Sequence, residues 1–284
     1  CLGLACGDDV EIDRLRLIDF MYRAYANGKN DKVDFLVFPE FYMPLQWISD
    51  VLAFVRKSGI TVVSGLQYVT SGHQAYNNVA IFAPVNTGRY TSSVLFAREK
   101  NDYAPMERQI LALEKYICVD QEKPVYQMIN NRGIDYGLFL CYEFTDIIAR
   151  ALYKDKVDII FTPEHNRDTS YFSNIIETTA RDLHVFIVQA NTSIYGDSRI
   201  TGPFVRNDRN VLQIKGGDKD DIIIGTIELG KVKKYQQDEK VDFDNKIQEY
   251  LKYNRKQKYE EEQKLFKEQK IKIAKTSARF GGNK

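Results

Sequence analysis

Apolar runs alternate along the chain with segments in which apolar residues recur three and four positions apart. The runs are nearly continuous in Val, Ile, Leu and Phe, which is typical of strands covered on both faces. They predict strands over residues 33–38, 60–65, 79–83, 92–97, 134–141, 157–162 and 185–190. The periodic segments predict helices over residues 12–26, 45–57, 144–154 and 171–183. This alternation indicates an α/β fold in which helices cover the sheets.

A hairpin is predicted near the end of this pattern, over residues 209–229. Its two strands would be Asn210–Ile214 and Ile222–Ile227, joined by a turn that carries Gly216 and Gly217. Glycines between two apolar runs favour such a turn because they accept backbone angles that other residues avoid.

The carboxyl-terminal part differs in composition. Residues 243–275 are rich in Lys, Glu and Gln and sparse in apolar residues, which predicts a long helix with a narrow apolar stripe. From Lys231 onward 16 basic residues face 9 acidic ones, so the net charge of +1 for the whole chain hides a basic end. We expect a main domain over residues 1–230 and a basic helical extension over 231–284. The extension could contact nucleic acid or an acidic partner, or present a solvated helix face.

Chemically useful side chains follow three of the predicted strands. Glu40 follows the first strand, Lys100 follows the strand at 92–97, and Cys141 ends the strand at 134–141. The carboxyl ends of strands are where open α/β sheets place their chemistry. A thiol attacks a carbonyl carbon only as thiolate, so Glu40 could take its proton. Lys100 and the backbone N–H groups after Cys141 could stabilise the oxyanion.

Each of these residues also has an ordinary structural interpretation. Cys141 could be a small core residue, Glu40 a surface turn residue, and Lys100 part of a solvated loop. The other residue types exclude several alternatives. The three histidines have no metal-ligand spacing and no G-x-S-x-G motif occurs, which disfavours a structural zinc site and a serine hydrolase. We expect no metal and no cofactor.

Compartment and context are suggested by a few further observations. The four cysteines form no CxxC pattern and no apolar run approaches membrane-spanning length. We therefore expect a cytoplasmic protein with reduced thiols and no membrane contact. The chain begins with Cys1 rather than Met, which suggests a piece of a longer polypeptide.

Three segments resemble motifs of the carbon–nitrogen hydrolase (nitrilase) superfamily, in the family's order and spacing. They are residues 34–40 (DFLVFPE), 100–107 (KNDYAPME) and 137–143 (GLFLCYE). The resemblance covers roughly residues 2–230. It implies a four-layer α-β-β-α sandwich, with homodimers or larger homo-oligomers to which the carboxyl-terminal extension could contribute.

The resemblance also implies roles for individual residues. It places the general base at Glu40, the catalytic lysine at Lys100, an auxiliary glutamate at Glu107 and the thiol nucleophile at Cys141. The alternative for Glu107 is an ordinary capping residue three positions into a helix. Glu143 could lie at the edge of the site or supply a charge at the start of a helix.

The family places substrate contacts in the loop after the strand at 157–162. We expect them here at Glu164, His165 and Arg167, and we expect a further contact at Tyr142, which follows the nucleophile. Arg167 could bind a carboxylate bidentately, or it could pair with Asp168 or Glu164. His165 could line the pocket, or it could be structural or exposed. This charged loop departs from the family's usual pattern, as does Asp102-Tyr103 where a His-Leu pair normally follows the lysine.

Three functional hypotheses follow. The first is a cysteine-dependent hydrolase of a small-molecule, non-peptide amide, acting through a thioester intermediate; nitriles are the less favoured substrate. The second is a nitrilase-like domain of a larger protein, for example one fused to a reverse transcriptase in bacterial antiviral defence, with a regulatory or assembly role. The third is a scaffold that has lost its activity. The presence of all three triad residue types places the third hypothesis last.

Overall fold

Two large β-sheets carry most of the strands. A computed structural model describes residues 8–27, 32–204, 209–216, 221–230 and 232–234, together with residues 236 and 245. The chain divides into two units, Cys1–Val232 and Lys233–Lys284. Both sheets belong to the first unit. The predicted domain boundary after residue 230 stays a prediction, and most of the predicted carboxyl-terminal helix lies outside the described residues.

The first sheet has four strands in the order β1-β2-β5-β6. They are β1 (Phe35–Val37), β2 (Thr61–Gly65), β5 (Asn78–Asn86) and β6 (Thr91–Glu99). β1 runs parallel to β2, whereas β5 is antiparallel to both β2 and β6. All five residues of β2 are buried, as its run of apolar and small residues requires.

The second sheet has six strands in the order β13-β12-β11-β10-β9-β8. They are β8 (Met128–Asn131), β9 (Ile134–Leu138), β10 (Ile159–Glu164), β11 (Phe186–Asn191), β12 (Ser198–Thr201) and β13 (Asn210–Ile214). β9, β10 and β11 are mutually parallel and lie in the centre of the sheet. Their carboxyl ends therefore meet at one edge of it.

Five α-helices with described bounds and a small third sheet also belong to this unit, and residues 229–230 and 232 are helical as well. The helices are α1 (Asp8–Asn27), α2 (Ile48–Ser58), α3 (Pro105–Leu113), α4 (Ile147–Ala151) and α5 (Thr169–Leu183). The third sheet joins β3 (Val69–Ser71), β4 (Gln74–Tyr76) and β7 (Ile117–Cys118). Short 3-10 turns at Leu45–Trp47 and Cys141–Thr145 lead towards α2 and α4.

Three apolar clusters define four layers. Leu17 and Phe20 of α1 and Val51 and Val55 of α2 pack on the outer face of the first sheet, to which Val62 of β2 belongs. Residues of the two sheets pack against each other in the middle, among them Val63, Ile81, Leu138, Phe161 and Phe186. Ala149 of α4 and Phe172 and Ile176 of α5 cover the second sheet, to which Ile160 and Ile187 belong. The α-β-β-α sandwich expected from the resemblance is confirmed.

The predicted hairpin at 209–229 is wrong in its second half. Asn210–Ile214 forms β13, but it pairs with β12 rather than with residues 222–227. Residues 221–228 are described and form no strand. Ile222 packs against the cluster between the helices and the first sheet, whereas Ile227 packs against the cluster between the sheets. Burial of these side chains in two different clusters takes precedence over local pairing.

No helix in the described part of the chain is long and apolar enough to cross a membrane.

Candidate active site

Glu40 lies in a tight turn directly after β1. The next residue, Phe41, has a φ of 63°, in the left-handed region that bulky residues rarely adopt. The turn rests on the end of β2, where the Gly65 N–H donates to the Pro39 carbonyl at 3.1 Å. This close approach is possible because Gly65 has no side chain.

A substitution at Gly65 tests how tightly this turn is held. A Cβ at this position would lie 2.5 Å from the Glu40 Cα and 2.9 Å from the Phe41 nitrogen, both backbone atoms. We expect Gly65→Ala to lower the free energy of unfolding by about 1–3 kcal/mol, measured by urea denaturation. Gly225→Ala is the control, because its nearest neighbour is the flexible tip of Ile200 at 3.1 Å. Equal stability of the two variants would contradict a tight turn.

Lys100 follows β6 and is almost completely buried. Its backbone N–H donates to the Asn77 carbonyl at 2.7 Å. Its ammonium group donates to Glu40 Oε1 at 2.8 Å and to Glu107 Oε2 at 2.6 Å. The side chain is 1% exposed, so both ion pairs are shielded from water. The structure therefore excludes the solvated-loop interpretation of Lys100.

Two residues that were not predicted complete this cluster. The Asn77 amide group donates to Glu40 Oε1 at 2.9 Å and to Glu107 Oε1 at 2.8 Å. The Tyr68 hydroxyl donates to Glu107 Oε1 at 2.7 Å. Glu107 also accepts from the Ala104 N–H at the start of α3, so it contacts the site and caps the helix at once.

The charges of the cluster determine the state of Lys100. Burial alone lowers the pKa of an ammonium group, because it disfavours the charged form. The carboxylates of Glu40 and Glu107 outweigh that effect and raise the pKa of Lys100 well above its ordinary value. Lys100 is therefore a fixed positive charge at neutral pH.

Cys141 begins the 3-10 turn that follows β9. Its φ is 49°, so the nucleophile candidate itself has a left-handed backbone. Burial raises the pKa of its thiol well above the usual value, and the Glu40 carboxylate raises it further. Lys100 and a hydrogen bond from the His165 backbone act in the opposite direction. The thiol therefore rests in its protonated form beside a carboxylate that could accept the proton.

A cavity reaches this cluster. Glu40, Lys100, Glu107 and Cys141 all line it, and in the described part of the chain its volume is about 1090 Å³. The cavity continues between the two sheets, where its lining is largely apolar.

Three of the four expected substrate contacts line the same cavity: Tyr142, His165 and Arg167. The His165 ring packs edge-on against Phe41 and Tyr195, with centroids 5.7 and 5.4 Å away. Among the described residues, Arg167 forms neither of the ion pairs that the sequence left open. The guanidinium group is exposed beside the cavity.

Glu164, the fourth expected contact, has its carboxyl group inside the protein. The side chain is fully buried, where it accepts hydrogen bonds from Thr162 Oγ1 at 3.1 Å and Gln189 Nε2 at 2.7 Å. Burial raises the pKa of Glu164 to about 8. Its backbone carbonyl accepts from the Glu40 N–H at 3.4 Å, so the residue also contacts the turn that carries the candidate base.

The raised pKa of Glu164 predicts a dependence of stability on pH. At low pH the folded and unfolded chains both hold the proton. As the pH rises towards about 8, the unfolded chain releases it while the folded chain retains it, so stability is lost. Glu164→Gln removes this loss, and we expect the variant to gain roughly 2–4 kcal/mol on wild type between pH 5 and pH 8. Urea midpoints at the two pH values measure the gain. A stability difference between the variant and wild type that is the same at both pH values would contradict a buried, protonated Glu164.

Among the residues that the structure describes, no group of three or more His, Cys, Asp or Glu side chains is arranged to hold a metal ion.

The chain belongs to the carbon-nitrogen hydrolase family. The family model matches residues 17–237, which include β1 to β13 and all three motif segments. A search of curated protein sequences finds no significant match to this chain.

Solved structures with the same fold include an amidase from Nesterenkonia sp. AN1. It is 18% identical to this chain, with a TM-score of 0.50 over 70% of this chain and 80% of that one. One variant of that amidase carries the acetamide moiety of fluoroacetamide covalently bound to its active-site cysteine, again at 18% identity and a TM-score of 0.50 over 70% and 81% of the chains. The CN-hydrolase superfamily protein XC1258 from Xanthomonas campestris has an arsenic adduct in its active site. It is 10% identical, with a TM-score of 0.58 over 79% of this chain and 87% of that one.

Proposed function

We propose that this carbon-nitrogen hydrolase cleaves a small-molecule, non-peptide amide through a thioester on Cys141. One observation carries the proposal. A buried lysine bridges two carboxylates at 2.8 and 2.6 Å beside a buried thiol, and all four groups line one cavity. Buried charges are costly, and clusters of perturbed titratable groups in a cleft are typical of active sites.

Acylation uses the three residues in separate roles. Glu40 takes the proton of the Cys141 thiol while the sulfur attacks the amide carbon, which forms a C–S bond and an oxyanion. The Lys100 ammonium stabilises the negative oxygen, and the Tyr142 N–H in the first turn after β9 is a second donor. The C–N bond then breaks, Glu40 returns the proton to the leaving nitrogen, and ammonia or an amine departs.

Deacylation reuses the same carboxylate. Glu40 takes a proton from water, the hydroxide attacks the thioester carbon, and the C–S bond breaks. The acid leaves, and Cys141 regains the proton from Glu40. Each turnover consumes one water and requires neither an electron donor nor an acceptor.

Glu107 holds Lys100 in place rather than exchanging protons with the substrate. It has hydrogen bonds to Lys100, Tyr68 and Asn77 that fix its carboxylate. Tyr142, His165 and Arg167 line the cavity and are the proposed substrate contacts. Assembly into homo-oligomers, cytoplasmic location, fusion to another domain and contacts of the basic extension remain predictions from the sequence.

Intact mass spectrometry tests the proposed function. We expect wild-type protein, incubated with a panel of small amides and fluoroacetamide, to gain the mass of the acyl or alkyl group on Cys141. Cys141→Ala should gain none. Cys118→Ala is the matched control, because Cys118 is the second described thiol and is only partly buried. Label on Cys118 alone, or hydrolysis that survives Cys141→Ala, would refute the proposal.

A further inference from the structure

A buried ion pair lies between the strand that carries Lys100 and the turn that carries Cys141. Arg98 Nη1 donates to Glu143 Oε1 at 2.7 Å and Arg98 Nη2 donates to Glu143 Oε2 at 2.8 Å. The two side chains are 5% and 0% exposed. The proposed reaction does not use either residue. A bidentate pair of this kind fixes the relative orientation of its two side chains.

Glu143 joins the backbone beside Lys100 to the backbone beside Cys141. Its Oε1 accepts the Asn101 N–H at 2.5 Å, and its Oε2 accepts the Leu140 N–H at 2.8 Å. Asn101 directly follows Lys100, and Leu140 directly precedes Cys141. With the two bonds from the guanidinium group, four donors occupy the acceptor sites of a single carboxylate.

Arg98 makes the same connection from the other side. Its Nη1 also donates to the Glu99 carbonyl at 2.9 Å, and its Nη2 donates to the Leu138 carbonyl at 3.4 Å. Glu99 is the residue before Lys100, and Leu138 is the last residue of β9. The ion pair therefore makes two hydrogen bonds to the backbone beside Lys100 and two to the backbone that precedes Cys141.

The hydrogen bonds of Glu143 also hold the backbone around Cys141, whose conformation is strained. Glu143 bonds to the Leu140 N–H through its side chain and to the Leu140 carbonyl through its own N–H at 3.3 Å. Cys141 lies between these two residues with its φ of 49°. A left-handed backbone at a residue other than glycine persists only where the surroundings hold it.

We propose that Arg98 and Glu143 are a positioning pair that sets the placement of Lys100 relative to the Cys141 thiol. This assignment rests on the proposed function of Cys141 as the nucleophile. Neither side chain touches the substrate. The pair acts by fixing the backbone around Lys100 relative to the backbone around Cys141. Loss of the pair therefore moves the ammonium group away from the sulfur.

Arg98→Lys is the first test, because it keeps the positive charge and cannot bond both carboxylate oxygens together with two carbonyls. We expect kcat to fall about 10- to 100-fold with KM nearly unchanged, since small misplacements of reacting groups have effects of this size. Alkylation of Cys141 by iodoacetamide should show its pH midpoint raised by about half a unit or more, because a more distant Lys100 stabilises the thiolate less. A merely structural defect lowers the folded fraction but does not move that midpoint.

Glu143→Gln is the second variant, and Arg199→Lys is the matched control. Arg199 is as deeply buried and is ion-paired with Asp197 and Glu177. Glu143→Gln should reproduce the shift, and the double variant Arg98→Lys/Glu143→Gln should add little to either single change, because the two residues act as one unit. Arg199→Lys should leave the midpoint at its wild-type value.

The outcomes separate this proposal from the one on which it rests. A wild-type chain that forms no acyl adduct but shows the alkylation shift in Arg98→Lys would refute the amidase function and support the positioning pair. Unchanged kcat and midpoint in a folded Arg98→Lys, with an active wild type, would overturn the positioning pair alone. Failure of both Arg98→Lys and Glu143→Gln to fold would also overturn it, leaving a purely structural ion pair.

Discussion

Lys100→Met is expected to lower kcat for amide hydrolysis by about 10³-fold or more. Methionine has a similar length but no charge, so the oxyanion loses its main electrostatic partner. Loss of a single oxyanion donor lowers kcat by about 10²- to 10³-fold in other hydrolases. The thiol is affected as well, because Lys100 is the charge that favours its thiolate form. Steady-state kinetics with the amide that acylates the wild type measures the loss.

The same substitution is expected to destabilise the fold by about 3–5 kcal/mol at neutral pH, measured by urea denaturation. Removal of one partner from a buried ion pair leaves an uncompensated charge, and here two carboxylates depend on one ammonium group. The double variant Lys100→Met/Glu107→Gln restores the net charge of the cluster. It should regain most of the stability and none of the activity. Recovered activity in the double variant would show that Lys100 is needed only to balance charge.

The placement of Glu40, Lys100 and Cys141 could be predicted because each follows an apolar strand whose identity is clear from local sequence. The sheets then bring these strand ends together without further information. The role of Glu107 could not be assigned from its position alone, because a glutamate there can also cap a helix. The structure shows that it both binds Lys100 and caps α3.

Asn77 and Tyr68 were missed for a physical reason. Their bonds to Glu40 and Glu107 span 37 and 39 residues of sequence, and neither residue belongs to a local pattern that indicates chemistry. Arg98 was visible beside the lysine, but its partner Glu143 lies 45 residues away. The hairpin failed because the local pattern of residues 222–227 does not reveal which apolar cluster will bury each side chain. These contacts join residues far apart in the sequence, so only the folded structure reveals them.

Glu40→Gln is expected to change two reactions of Cys141 in opposite directions. Glutamine keeps the acceptor oxygen for the Lys100 and Asn77 donors, so the fold should persist. Amide hydrolysis should fall by about 10³- to 10⁴-fold, because glutamine cannot accept the thiol proton or activate water. Alkylation by iodoacetamide at neutral pH should instead become a few-fold faster. The Glu40 carboxylate raises the pKa of the thiol, so removal of its charge lowers that pKa and increases the thiolate fraction.

Glu107→Gln is the matched control for this reversal. It removes the other carboxylate that contacts Lys100, at 2.6 Å, while leaving the proposed base intact. We expect hydrolysis to fall only about tenfold, from weaker positioning of Lys100, and alkylation to change little. Slower alkylation in Glu40→Gln, in parallel with slower hydrolysis, would mean that Glu40 acts by holding the thiol in place. Faster alkylation together with lost hydrolysis would separate the role of this carboxylate in proton transfer from the effect of its charge on the thiol.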